Sequence, residues 1–210
     1  MRRIEKLCTY LSQADVFADI GCDHGYCTEY MLKNDLCDRA YISDISAKSL
    51  NKAETLLAPY IRAGRCIPVV ADGLQGIEEP CDLALIAGMG GEEIIKIISD
   101  TLPRRFVLQP MKNTDKVRAY LSGRAKLCKD ETFRIGDVYY DIIVGERGEE
   151  TLTPLEIKYG RDNLNNPSDD FRTWVKEKLD GVEEFLLRAK DEGARRELIN
   201  RRAELRGLLH

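Results

Sequence analysis

At 210 residues the chain has room for one ordinary domain and an appendage, and not for several full domains. It is 43% hydrophobic and 32% charged with a net charge of -4, which fits a globular protein with a charged surface and excludes a general polycation. Its seven cysteines are an odd number scattered singly, so they argue against a disulfide scaffold and for a reducing cytoplasm.

In chain order, residues 1–13 carry Ile4, Leu7, Cys8 and Leu11 at helical spacing, which predicts a leading amphipathic helix and no signal peptide. Val16 to Ile20 is a short apolar run that predicts a buried strand. Gly21-Cys22-Asp23-His24-Gly25 then makes a tight turn into a helix over Tyr26 to Lys33. Strand, glycine turn and helix together open a nucleotide-binding βαβ unit, and Gly21 lets a ligand approach the backbone because no Cβ intervenes. A polar connector, Asp35 to Arg39, leads to a second strand, Tyr41 to Asp44. An acid at that strand's tip is placed to accept hydrogen bonds from ribose hydroxyls.

Ser46 caps a helix running to Tyr60. Cys66 to Val70 is a third strand, assigned to an edge by Pro68, and Ala71-Asp72-Gly73-Leu74 is a second acid-glycine turn. Cys81 to Ala87 is apolar nearly throughout, as a central parallel strand should be, and too short to span a bilayer. Gly88-Met89-Gly90-Gly91 is the turn beyond it, followed by a helix over Glu92 to Asp100. Arg104 to Gln109 is a strand stopped by Pro110, and Thr114 to Ser122 a helix. Lys126 to Ile135 and Asp137 to Arg147 read as an antiparallel hairpin. The expected fold is α/β: a Rossmann-like, doubly wound, seven-stranded sheet with one antiparallel strand.

Composition changes after Gly148. Residues 151–168 read as a polar linker, and helical periodicity over Asp169 to Lys190 and Ala194 to Leu209, interrupted by Gly193, predicts a helical hairpin. The expected division is residues 1–150 for the nucleotide-binding domain and 151–210 for the linker and coiled-coil-like helices.

Polar or glycine-rich signatures sit at four strand tips, 19–25, 44, 71–73 and 87–91, where open α/β sheets bind ligands. A nicotinamide cofactor would want Gly-x-Gly-x-x-Gly against its pyrophosphate. Here Asp19 and Asp23 would repel a pyrophosphate and suit an ammonium and a sulfonium, which favours S-adenosylmethionine. Each residue also has a structural reading. His24 serves as a local turn residue, Asp44 and Asp72 as caps or turn formers, Gly88 to Gly91 as a tight turn, and Cys22, His24 and Cys27 as a metal site without a second cluster of ligand spacing.

The ordered set Asp19-Ile20-Gly21-Cys22-Asp23-His24-Gly25-Tyr26, Ser43-Asp44, Asp72-Gly73, Ala87-Gly88-Met89-Gly90-Gly91 and Leu108-Gln109-Pro110 resembles the bacterial tRNA (adenine-N1) methyltransferase family that acts at adenine 22, called TrmK. The chain departs from the family's pattern at Cys22, Gly25 and Met111, where many members carry Ser, Ala and Asn. The resemblance implies a class I, S-adenosylmethionine-dependent, cytoplasmic tRNA modifier with a helical C-terminal domain and no metal. It implies that Gly21, Asp23 and His24 line the cofactor near its methionine end, Asp44 lies at its ribose, and Asp72 and Gly73 lie at its adenine, with Asp19, Cys22 and Ile45 also among the cofactor-binding residues. Ala87 to Gly90 would wall the cofactor from the target base, with Ala87, Gly88 and Met89 counted as cofactor-binding, and Asp23 and His24 are the candidate catalytic residues.

Adenine N1 already bears a lone pair, so catalysis would be mostly positioning of a base turned out of its stack. Phosphate contacts are expected from Arg104, Arg105, Lys112, Lys116, Arg118, Arg124, Lys126 and Lys129, opposed only by Asp115, and possibly from the arginines at 195–206. Two rivals stand beside this reading: a methyltransferase of the same fold with another RNA or a small-molecule substrate, and an idle cofactor-binding RNA adaptor.

Overall fold

The apolar run before the glycine turn is paired on both edges, which is why it has no polar face. In the computed structural model, which describes residues 2–209, β1 (Ala14–Ile20) lies parallel between β2 (Cys37–Asp44) and β4 (Leu83–Met89). β3 (Cys66–Val70) flanks β2, and β5 (Arg105–Pro110) flanks β4. β6 (Ala125–Ile135) and β7 (Val138–Arg147) complete a seven-stranded sheet in the order β3-β2-β1-β4-β5-β7-β6. β7 alone runs opposite to the other six strands, antiparallel to both β5 and β6. Pro68 sits on edge strand β3, where a missing N–H costs the ladder little.

Side chains alternate between two cores, as strand periodicity demands. Phe17, Ile42, Leu85 and Val107 pack with α1 (Arg3–Cys8), α2 (Tyr26–Lys33) and α3 (Ala47–Arg62). Ala18, Ile20, Ile86 and Leu108 pack with α4 (Gly91–Asp100) and α5 (Thr114–Leu121) on the other face. A third cluster, Tyr159, Phe171, Val175 and Leu205, joins α6 (Pro154–Tyr159), α8 (Asp169–Arg188) and α9 (Glu192–Gly207).

Several elements differ from the sequence expectation. The leading helix ends at Cys8, where the Thr9 hydroxyl donates to the Lys6 carbonyl and closes it; Met1 lies outside the described residues. β2 begins at Cys37, because Cys37 and Arg39 pair with Ala14 and Val16 of β1 although the Asp38 and Arg39 side chains are exposed. Gly88 and Met89 still belong to β4, and Gly90 caps α4. The 151–168 stretch is not a linker but holds α6 and α7 (Arg161–Asn165). Pro154 stands at the start of α6 and Thr153 forms a capping box with Glu156, so the proline here starts a helix. Gly193 lies inside α9, whose start is set by Asp191 accepting from the Ala194 N–H at 2.7 Å; the break falls at 189–191.

Candidate active site

Three strand tips are laced into one rim. The Gly21 N–H donates to the Ser43 carbonyl at 2.7 Å, and the Ser43 hydroxyl donates to the Gly73 carbonyl at 2.9 Å. Gly21 has φ +70°, a backbone conformation that favours glycine, and the Met89 methyl occupies the space where a Cβ would stand. Between Ala87 and Met89 the β4–β5 register shifts, leaving Gly88 at φ +82° and turning the tip of β4 over the rim.

The twelve residues expected from sequence at the cofactor, Asp19, Gly21, Cys22, Asp23, His24, Asp44, Ile45, Asp72, Gly73, Ala87, Gly88 and Met89, all line one cavity of about 500 Å³. That volume suits a drug-sized or nucleoside-sized ligand. Asp19 leaves β1 toward α2, where the Thr28 hydroxyl donates to it at 2.8 Å. Burial pushes the Asp19 carboxyl up to about 6, and the Thr28 bond opposes that rise. Asp23 sits at φ +45° on the rim, where the Lys52 ammonium of α3 donates to it at 2.8 Å and holds its carboxyl below the usual range. His24 Nε2 lies 3.6 Å from the other Asp23 oxygen, and its ring stacks on Tyr26 at 5.4 Å. One oxygen of Asp44 accepts from the Ser46 N–H at 2.8 Å, fixing the carboxylate at the head of α3. Ile45, 73% exposed, offers an apolar face beside it. Asp72 accepts from Lys96 at 2.6 Å, and Cys22 is a half-buried wall residue.

Sequence reasoning missed the wall that α1 contributes: Arg3, Ile4 and Leu7. Only the apolar face of that helix was legible, and Arg3 reaches the cavity through a contact with Gln109 of β5, 106 residues away. Five lining carboxylates, Asp19, Asp23, Asp44, Asp72 and Glu93, thus outnumber the cations that meet them: Arg3 of the lining, and the Lys52 and Lys96 ammoniums that pair with Asp23 and Asp72 from beside it. Such a site favours a cationic ligand over a diphosphate. The residues fit S-adenosylmethionine on these grounds: surplus negative charge, a carboxylate for ribose at Asp44, and close backbone approach at Gly21 and Gly73.

The basic stretch from 104 to 129 is less uniform than its sequence suggests. Arg118 is a correction: it is 1% exposed and its Nε donates to Asp130 at 2.8 Å, so it cannot reach a phosphate. Arg104, Lys116 and Lys129 pair with Asp82, Glu92 and Glu131. In the last helix Arg201 and Arg206 pair with Glu204 and Glu183. Among the described residues no helix is long and apolar enough to cross a membrane, and no group of three or more His, Cys, Asp or Glu side chains is placed to hold a metal.

Comparison with known proteins agrees with this geometry. The model of a methyltransferase domain matches residues 1–143. A Mycoplasma pneumoniae protein provisionally named a tRNA methyltransferase is 30% identical over 156 residues, covering 71% of this chain and 73% of its own length. The Bacillus subtilis tRNA (adenine(22)-N(1))-methyltransferase is 27% identical over 155 residues, 70% of this chain and 65% of that protein. The structure of M. capricolum TrmK, solved with S-adenosyl-homocysteine, superposes with a TM-score of 0.87 at 20% identity, covering 100% of this chain and 97% of the other.

Proposed function

This chain belongs to the methyltransferase-domain family, and we propose that it transfers a methyl group from S-adenosylmethionine to N1 of an adenine in tRNA, at position 22 as named for the Bacillus subtilis relative. The observation that carries the reading is the strand-tip cavity of five carboxylates and one guanidinium. When bound there, S-adenosylmethionine supplies an electrophilic methyl on a sulfonium. Asp44 accepts from the ribose hydroxyls, and Ile45, Asp72 and Gly73 flank the adenine. Asp19 holds the ammonium, while Gly21, Cys22, Ala87, Gly88 and Met89 shape the passage to the target base.

The acceptor nitrogen needs no prior deprotonation, so these residues act by holding two partners in line. Asp23 and His24, on the rim, orient the exocyclic amine of the incoming base. Normal turnover in both Asp23→Ala and His24→Ala would remove them from the mechanism. We assign residues 1–150 to catalysis and 151–210 to a helical unit, with the reaction in the cytoplasm. Arg105, Lys112, Arg124 and Lys126 are the cations of the 104–129 stretch left without an acidic partner among the described residues, so they form the proposed phosphate-contacting patch.

The test is nucleoside mass spectrometry of tRNA treated with the protein and S-adenosylmethionine. N1-methyladenosine is expected. Methylation of another nucleoside, or of small molecules alone, or RNA binding without transfer, would overturn the assignment.

A further inference from the structure

Arg118 carries the one buried polar side-chain atom left without a hydrogen bond among the described residues. Its Nε donates to both oxygens of Asp130, at 2.8 and 3.1 Å, while Nη2 stands 3.6 Å from Asp141 Oδ1 and has no partner. A buried donor without an acceptor is costly and marks a place where a ligand can supply one. Arg118 lines a cavity of about 120 Å³ between β6, β7, α5, α6 and α8. That is about four times the share of one water in the liquid, too roomy for a single bridging water and enough for one flat ring system. The walls are aromatic. Tyr159 and Phe171 are buried, half-buried Trp174 stacks on Phe171 at 5.7 Å, and Tyr139 lines the cavity from β7, with the Arg134 guanidinium 5.3 Å from its ring centre.

Charge in this cavity is already balanced: Asp130 and Asp141 flank Arg118, and Lys158 pairs with Glu204. What Arg118 lacks is an acceptor and not a countercharge, so an uncharged ring with polar edge atoms suits the cavity better than a phosphate. A nucleobase offers a face for the aromatic walls, an edge acceptor for the Arg118 N–H, and an edge N–H for the Asp141 carboxylate beside it. The location suits an RNA already held at the strand tips. Leu108 pairs with Ile143, so Pro110 and Asp141, each two residues farther on, fall at one end of the sheet, and Gln109 at that same end holds Arg3 of the strand-tip cavity. From β4 to β6 is three strand spacings, about 14 Å. We propose that this cavity receives one unstacked base of the tRNA, distinct from the adenine that is methylated, with Tyr139 and Trp174 against its ring and Arg118 and Asp141 at its edge. The proposal rests on the tRNA reading above and adds to it a second contact, made to a base and not to phosphate.

Trp174 is the chain's single tryptophan, so its emission reports on this cavity. Titrating the full chain with tRNA should quench Trp174 in step with binding read from the anisotropy of labelled tRNA. Tyr139→Ala is expected to weaken tRNA by about 5- to 100-fold, as for one lost base–aromatic stack, and to leave S-adenosyl-homocysteine within about twofold. Tyr139→Phe keeps the ring without the hydroxyl that donates to Glu177, and should bind tRNA like wild type. Binding of tRNA with no change in Trp174 emission, or with Tyr139→Ala as tight as wild type, would mean that the cavity holds water only and would overturn the proposal. Equal losses in Tyr139→Ala and Tyr139→Phe would assign Tyr139 to its Glu177 contact and also overturn it. If wild type binds no tRNA, the substrate reading fails by itself. Nucleoside monophosphates at millimolar concentration then test the cavity directly: quenching of Trp174 upholds a base site, and none removes it. Thermal melting of each variant separates these outcomes from misfolding.

Discussion

At the tips of β1 to β4, charge is gathered in excess and left open; beneath the C-terminal helices it is matched and sealed. The cavity's acids are neutralised in part by long exposed lysines, Lys52 on Asp23 and Lys96 on Asp72. At the far edge of the sheet, the side chains of Arg118 and Asp130 are 2% and 0% exposed, and Asp130 also accepts from the Arg161 N–H at 2.9 Å. Asp141 stands 3.6 Å from Arg118 Nη2, Asn163 bridges Thr132 to the Tyr159 carbonyl, and Arg161 pairs with Glu150 and Asp162. The first arrangement awaits a ligand's charge, and the second fastens α6 and α7 to β6. Substitutions should accordingly divide into those that change binding and those that change stability.

The largest expected effect lies at the sealed edge. Arg118→Met leaves the Asp130 carboxylate buried without its countercharge and should cost about 3–5 kcal/mol in chemical denaturation. Replacing both partners, Arg118→Met with Asp130→Leu, should recover most of that loss, because the penalty comes from the stranded charge. Cofactor affinity of the folded fraction should not change. A large affinity loss would join the two regions and break the comparison.

Next in size is Asp19, the one carboxylate of the cavity that is itself buried. Its folded value of about 6 lies above the ordinary 3.8, so between those pH values the folded chain holds a proton that the unfolded chain has lost. Stability from this group is therefore full below about pH 4 and is lost as pH rises through 6, a difference of about 3 kcal/mol. Asp19→Asn should raise the stability of the ligand-free protein at pH 7 by up to that amount and flatten its pH dependence over this window. The same change should weaken the cofactor, and in wild type the cofactor should bind less well below pH 6 as Asp19 is neutralised. Opposite signs for stability and binding at one residue are the mark of a site strained for its ligand. Asp44→Ala should be milder for the fold, about 1 kcal/mol for the lost Ser46 bond, while weakening the cofactor roughly tenfold or more.

The strand-tip site was readable because its signals are local. An apolar run, a glycine that must take positive φ and an acid at a strand end are each written within a few residues, as at Val16 to Gly25. What escaped was set by distant contacts. Arg3 gains its place from Gln109, and Arg118 in sequence looks like one more cation in a basic run, its burial decided by Asp130 on another strand. The 151–168 stretch was a different failure. Thr153 and Glu156 spell a capping box and Pro154 a helix start, but polar composition alone reads as a linker.

The smallest effect is the sharpest probe of how loosely the cavity's charge is held. Lys52 and Asp23 are 45% and 58% exposed, so Lys52→Ala should change stability by less than about 1 kcal/mol. It also leaves Asp23 unneutralised and makes the rim more negative by one charge. S-adenosylmethionine carries a net positive charge and S-adenosyl-homocysteine none, so the variant should favour the former over the latter by about two- to threefold at low salt. At 1 M salt, where screening acts within about 3 Å, the preference should vanish. A preference that persisted in high salt would mean that Lys52 acts by holding the Asp23 side chain in place, and the open charge of the rim would then be as structural as that of the buried edge.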